Sequence, residues 1–179
     1  HDPTPRDPMR LPAGPAVLRS LKHDDAAELA RLANDRRVWR NLRDAFPHPY
    51  QLADAEAFLA ATVGREPETN LAIEVDGRYA GGIGLTLLND VHHRTAELGF
   101  WLGQPYWNRG IATAAVGALC MHAFATFDLA RLQAQTFAWN EASRRVLEKN
   151  GFTSEGVLRS AAFKDGELID VVMHARLRG

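Results

Sequence analysis

Two stretches of the chain bring glycine, amide, hydroxyl and carboxylate groups close enough in sequence to act together. The first is Glu97-Leu-Gly-Phe-Trp-Leu-Gly-Gln-Pro-Tyr-Trp-Asn-Arg-Gly-Ile-Ala-Thr113. Arg109-Gly110-Ile111-Ala112 places a glycine and a small residue where a helix begins. A helix start offers backbone N–H groups without helical partners and the positive end of the dipole, which together suit a diphosphate. Gly110 lets a ligand approach the backbone closely. A glycine at such a position is by itself more often structural. The second stretch is Asn140-Glu-Ala-Ser143-Arg-Arg-Val-Leu-Glu-Lys-Asn-Gly151-Phe152. Asn140 or Ser143 is suited to cap a helix, and capping does not exclude contact with a ligand.

Other reactive side chains read as structural. His92-His93 has no cysteine or carboxylate nearby at metal-ligand spacing, so it reads as a solvated turn, and no metal is expected. Cys120 falls inside a long helical pattern and reads as a packing residue. Asp35-Arg36-Arg37 with Arg40 and Arg43 reads as a solvated helix face rather than a site for an acidic partner. In Phe46-Pro47-His48-Pro49-Tyr50 two prolines stiffen a loop that carries aromatic groups.

The elements that must position these groups follow from periodicity. Val17–Leu21 is expected as a first strand. A helix follows with Asp24 or Asp25 as its cap and Ala27, Leu29, Ala30, Leu32 and Ala33 as its apolar stripe. A second helix is expected from about Ala53 to Thr62, capped by Gln51 or Asp54. Asn70–Val75 and Tyr79–Leu88 read as strands joined at Asp76-Gly77, a strong hairpin signal. A strand over Thr95–Leu102, a helix over Gly110–Phe127, a strand over Arg131–Phe137 and a helix over Glu141–Asn150 follow, the last stopped by Gly151. A final hairpin joins Val157–Phe163 to Leu168–Leu177 across Asp165-Gly166. This order predicts an α+β domain with a mixed, mostly antiparallel central sheet and helices on both faces. It spans residues 16–179, preceded by a disordered lead-in over residues 1–15 with five prolines.

Bulk properties narrow the partners. The 179 residues carry a formal net charge of −1, with 46% hydrophobic and 24% charged residues. That balance fits a globular domain and gives no overall field for nucleic acid or an anionic membrane. No apolar run reaches the roughly 18 residues of a membrane span, and the start of the chain has no apolar signal segment. A single cysteine excludes an intrachain disulfide and fits a reducing cytoplasm. A homodimer stays open.

The two stretches together resemble the Gcn5-related N-acetyltransferase (GNAT) superfamily, and within it the RimJ/RimL-like branch. In that branch a Tyr-Trp-Gly-x-Gly-x-Ala-Thr loop precedes a long helix, and Asn-x-x-Ser followed by Gly-Phe comes later. Here the loop reads Tyr106-Trp107-Asn108-Arg109-Gly110-Ile111-Ala112-Thr113. Two positions depart from the superfamily pattern. Trp107 stands where Gln or Arg is usual, and Asn108 stands where glycine is usual. Asn tolerates left-handed backbone angles better than other residues with a side chain, so the loop shape can survive.

The resemblance implies a GNAT fold in which the strand of Glu97–Leu102 splays away from that of Leu132–Phe137. It implies acetyl-CoA as co-substrate, with the pantetheine arm in the notch beside the backbone of Phe100, Trp101 and Leu102. Asn108, Arg109, Gly110, Ile111, Ala112 and Thr113 would take the diphosphate. Asn140 would hold the arm, and Ser143 would protonate the departing thiolate. Glu97 resembles the strand glutamate that serves as base in several members; a solvated residue or a structural ion pair is the alternative. Phe46, His48 and Tyr50 would lie on the loop that borders the acceptor pocket, where lining and plain packing are both open. The implied activity is acetyl transfer to a primary amine, foremost the α-amine of a protein or peptide. A small amine such as a polyamine, amino sugar or amino acid is the alternative acceptor. A CoA-binding module without turnover is the reading from a different class.

Overall fold

The structure is a computed structural model that describes residues 7–179. Among the described residues the strands are β1 (Arg10–Ala13), β2 (Ala16–Ser20), β3 (Asn70–Val75), β4 (Arg78–Leu87), β5 (Thr95–Leu102), β6 (Arg131–Phe137), β7 (Thr153–Lys164) and β8 (Glu167–Leu177). The helices are α1 (Ala26–Ala33), α2 (Arg36–Trp39), α3 (Leu52–Thr62), α4 (Ile111–Thr126) and α5 (Glu141–Lys149). The strands form one sheet in the order β1-β2-β3-β4-β5-β6-β8-β7. Every neighbouring pair is antiparallel except β5 and β6, which run parallel. This is the α+β, mostly antiparallel sheet expected from the sequence.

Both Asp-Gly turns form as predicted. Asp76 and Gly77 have φ of 50° and 77°, and Asp165 and Gly166 have φ of 53° and 79°. Two consecutive left-handed residues match the twist of the flanking strands, which is why Asp-Gly suits them. Past the C-terminal end of α5, Gly151 takes φ 79°, and the N–H of Phe152 closes onto the Leu147 carbonyl at 3.1 Å.

The N-terminal expectation needs correction. Residues 1–6 of the expected lead-in lie outside the described residues. Arg10–Ala13, expected to be disordered, is strand β1, paired in register from Arg10↔Arg19 to Ala13↔Ala16. Its prolines misled because a sheet edge tolerates a residue without an N–H, and Pro12 lies on such an edge. Of the helix face read over Asp35 to Arg43, only Arg36–Trp39 is helix, the four-residue α2.

Each face of the sheet is covered. α4 packs across β1, β2, β4 and β5 over a core that includes Leu18, Ile73, Leu98, Val116, Leu119 and Leu132. α1 and α3 cover the other face, where Leu29, Leu32, Leu59 and Tyr79 are buried. Cys120 is buried in the α4 core, and burial pushes its thiol up to about 11, so it stays protonated. Side-chain alternation along β5 therefore sorts the strand. Ala96 and Leu98 point to the α4 side, and Glu97, Gly99 and Trp101 point to the α1/α3 side.

One ion cluster joins β2 and β3 to the turn before α1. The buried Arg19 guanidinium grips Asp25 through both oxygens, at 2.8 and 3.0 Å, and Glu74 at 2.9 Å. Asp25 also accepts from the Lys22 N–H at 3.0 Å, so it ties down the turn before α1 rather than capping the helix itself. Burial alone would raise Glu74, but its bonds to Arg19 and Arg10 outweigh that and hold its carboxyl below the usual range. Removing one partner strands a buried charge. Asp25→Ala is expected to destabilise the fold by about 3–5 kcal/mol. Urea unfolding checks it, as a lower midpoint with an unchanged slope.

Candidate active site

The site begins where two strands part. β5 follows β4 along its whole length, from Leu87↔Ala96 to Gly81↔Leu102. β6 follows β8 from Arg131↔Leu177 to Phe137↔Val171. Between β5 and β6 the pairing stops after Thr95↔Arg131, Ala96↔Leu132 and Glu97↔Gln133. From Glu97 onward the inner edges of both strands are open, which is the notch expected from the sequence. A cleft of about 1320 Å³ runs through it, from Arg109, Arg145 and Lys149 at one end to Phe46 and Tyr50 at the other. A single small ligand typically occupies roughly 300–1,000 Å³, so this volume suits two substrates meeting.

At the first end the loop after β5 turns into α4. Asn108 and Gly110 take φ of 60° and 73°, so the departure at Asn108 keeps a left-handed backbone, as its chemistry allows. α4 has no side-chain cap and no acidic residue in its first turn. Its first N–H groups therefore remain open to an anion. A Cβ added at Gly110 would meet nothing within 4 Å, so the space above it is free for a ligand. Trp107 has a role of its own: its indole Nε1 donates to the Leu102 carbonyl at 2.7 Å, which staples the loop to the end of β5. Arg145 and Lys149 stand four residues apart on one face of α5 and line the same end. Sequence reasoning missed these two cations, although their i, i+4 spacing after a ligand-facing helix start was the available signal.

In the middle, Asn140 caps α5. Its Oδ1 accepts from the Ser143 N–H at 3.2 Å, and its Nδ2 donates to Ser143 Oγ at 2.9 Å. Capping and site chemistry thus share one pair of residues. The Asn140 amide keeps only one donor and part of one acceptor for a ligand. The Ser143 oxygen is occupied as an acceptor, which leaves its own O–H free to donate. Both residues line the cleft.

Across the notch, Glu97 is half-buried and lines the cleft. Among the described residues its carboxylate has no hydrogen bond or ion pair. Of the two alternatives to a base, a solvated residue and a structural ion pair, the ion pair is not formed among the described residues.

The far end is aromatic. Phe46 packs on Tyr50 at 4.9 Å between ring centroids and edge-on against Trp101 at 5.4 Å. Phe46, Tyr50 and Trp101 all line the cleft, with Phe100 and Leu102 nearby. Burial, with Asp54 adding to it, pushes the Tyr50 hydroxyl up to about 12, so it is no base near neutrality. His48 is the exception among the expected residues. It is exposed, stacks on Trp39 at 5.5 Å, and lies outside the cleft wall. Adjacent residues on a loop face different ways, and aromatic content alone cannot tell which. His92 and His93 are exposed, and no group of three metal-ligating side chains gathers among the described residues.

The profile of the acetyltransferase (GNAT) domain family matches residues 16–153. The chain belongs to that family. Residues 16–153 thus form a GNAT domain, and its relatives include RimJ/RimL-like proteins. A putative ribosomal N-acetyltransferase, YdaF of Bacillus subtilis, is 36% identical over 103 residues, 58% of this chain and 56% of that protein. The chain spans about half the length of the first curated relatives it matches. Spermidine N(1)-acetyltransferase of Escherichia coli is 28% identical and aligns over 88% of this chain and 83% of its own. The solved structure of Mycobacterium smegmatis RimJ in complex with CoA-disulfide superposes with a TM-score of 0.81 at 26% identity, covering 96% of this chain and 86% of that one.

The open start of α4 offers unpartnered N–H groups suited to an anion such as a diphosphate, and Ser143 lines the same cleft. Gly110→Val adds a branched side chain at a left-handed position beside these groups. It is expected to weaken CoA binding roughly tenfold or more, on the scale of about 1–2 kcal/mol for forcing that backbone with a side chain. Isothermal calorimetry on the folded variant checks it; unchanged affinity would remove the diphosphate from this turn.

Proposed function

We propose that this chain transfers the acetyl group of acetyl-CoA to the α-amine of a protein or peptide N-terminus, in a ternary complex and without an acyl-enzyme. The observation that carries the reading is the unpaired Glu97 carboxylate at the point where β5 and β6 part. It stands on the strand face turned toward the aromatic acceptor end, while Ser143 stands on the donor side of the same cleft. Glu97 takes the proton of the incoming ammonium, directly or through one water. The neutral nitrogen then attacks the thioester carbonyl and the C–N bond forms; as the C–S bond breaks, the surplus proton of the nitrogen passes to solvent, and solvent restores the proton that Ser143 gives to the sulfur. The Ser143 O–H donates to the departing sulfur, with Asn140 as the positioning residue that holds its oxygen. Backbone N–H groups left open along β5 are suited to the carbonyl oxygen as it gains charge.

An α-amine suits a single, half-buried carboxylate. Its pKa near 7.7–8.0 leaves roughly a tenth neutral at pH 7, against about 0.04% for a lysine-like amine near 10.4. The ribosomal N-acetyltransferase name among the relatives supports a protein acceptor. The spermidine acetyltransferase, aligned over most of its length, favours a second reading, a small polyamine.

The test is a pH–rate profile of wild type and Glu97→Gln on a peptide N-terminus and on spermidine. A base at Glu97 predicts a loss of roughly 10²–10⁴-fold in the variant at neutral pH. The loss shrinks as pH rises and the free amine deprotonates in solution. It is smaller for the peptide than for the polyamine. Superimposed profiles would remove Glu97 from the reaction, and a clear preference for spermidine would replace the acceptor.

A further inference from the structure

The acceptor end is bordered by the segment from Asp35 to Pro47, which carries Arg36, Arg37, Arg40 and Arg43. Three of these are committed within the fold. Arg36 pairs with Asp165 of the β7–β8 turn. Arg37 grips Asp35 through two nitrogens at 2.9 and 3.0 Å. Arg40 lies over the Trp139 ring at 4.5 Å. The acidic neighbour Asp44 is committed too, to the Lys164 ammonium at 2.8 Å, which itself sits 3.8 Å above Trp39. Arg43 is different. Its side chain is exposed and has no carboxylate, hydrogen-bond acceptor or ring partner among the described residues.

Arg43 also occupies a junction. A second cavity of about 360 Å³ adjoins the main cleft and shares Arg43, Gln135 and Phe137 with it. The other walls of this second cavity combine apolar residues, among them Leu158, Phe163 and Val171, with the Asp44–Lys164 ion pair, whose charges are spent on each other. Glu97 and Arg43 line the same cleft, so an acceptor that enters past Arg43 meets a guanidinium with no partner among the described residues, where the cleft adjoins the second cavity. Such a fork recognises a carboxylate bidentately and repels a second ammonium.

We propose that Arg43 is a specificity-determining residue that selects acceptors with a carboxylate close to the reacting amine, as in a peptide bearing Asp or Glu just after its first residue. This rests on the reading that an N-terminal α-amine enters from this side. It also gives that reading a charge-based reason to disfavour polyamines.

The experiment compares three peptides alike but for Asp, Asn or Lys at the second position, with wild type, Arg43→Gln and Arg43→Glu. Wild type is expected to favour Asp over Lys by about tenfold or more in kcat/KM, the scale of a charge-assisted hydrogen bond. Arg43→Gln should level the series and Arg43→Glu should invert it. The wild-type preference should shrink as ionic strength rises, since an exposed charge is screened. A merely structural role for Arg43 would lower all three peptides by the same factor, and that result would overturn the proposal, as would a flat wild-type series. If no peptide turns over, the acceptor reading fails separately. Arg43 is then read on aspartate against asparagine, which share an amine and differ in one carboxylate. A preference for aspartate that Arg43→Gln abolishes upholds its role. Equal rates, or turnover of spermidine alone that Arg43→Glu leaves unchanged, sink it.

Discussion

The active cleft depends on one constraint, that β5 and β6 each have a better partner than the other. β5 is bonded to β4 over its full length, and β6 is bonded to β8 over its full length. Each strand follows the twist of its own half-sheet, and the two halves meet for only three residue pairs. Past that point neither inner edge can be closed by the chain itself, since an unpaired backbone group in a dry interior is costly. Water or a ligand must serve it. The opening thus creates a row of backbone donors and acceptors beside a cavity, and it fixes where every reacting group can stand. Glu97 sits at the last bonded pair, where the strand is still held and its side chain already faces the gap.

The same economy of groups recurs at α5. A helix start must satisfy N–H groups, and Asn140 does so through Oδ1. Its other end holds the oxygen of Ser143. A serine hydroxyl with its acceptor side taken is a donor with a fixed direction. The cap thus leaves the Ser143 O–H as a donor beside the cleft that both residues line. At α4 the opposite solution appears. No side chain caps it, so its N–H groups stay available.

Much of this was legible in the sequence because it is local. The Asp76-Gly77 and Asp165-Gly166 turns, the Gly151 stop and the bounds of Thr95–Leu102 and Arg131–Phe137 all follow from neighbours along the chain. β1 was hidden because its prolines read as coil, and only its place at the sheet edge makes them harmless. The buried Arg19–Asp25–Glu74 cluster joins residues up to 55 positions apart, so no local pattern signals it. His48 and Tyr50 share one loop and similar chemistry, yet only Tyr50 faces the cleft. That choice is made by packing, Tyr50 on Phe46, which itself meets Trp101, and His48 on Trp39, contacts that the sequence does not signal.

Pairing also separates structural charges from reactive ones. Around the acceptor end, Asp35 is bound to Arg37, Asp44 to Lys164, Asp165 to Arg36, and Asp54 accepts from the Gln51 N–H. The Arg37 bonds outweigh the opposing effect of burial and hold the Asp35 carboxyl below its ordinary range, so it is a weaker base than a free carboxylate. A carboxylate whose lone pairs are spent on arginine cannot also take a proton from an amine without giving up that bond. Glu97 has made no such commitment. It lines the cleft and stands at the last bonded pair of the parting strands. Among these carboxylates it is the one that the fold leaves without a partner among the described residues.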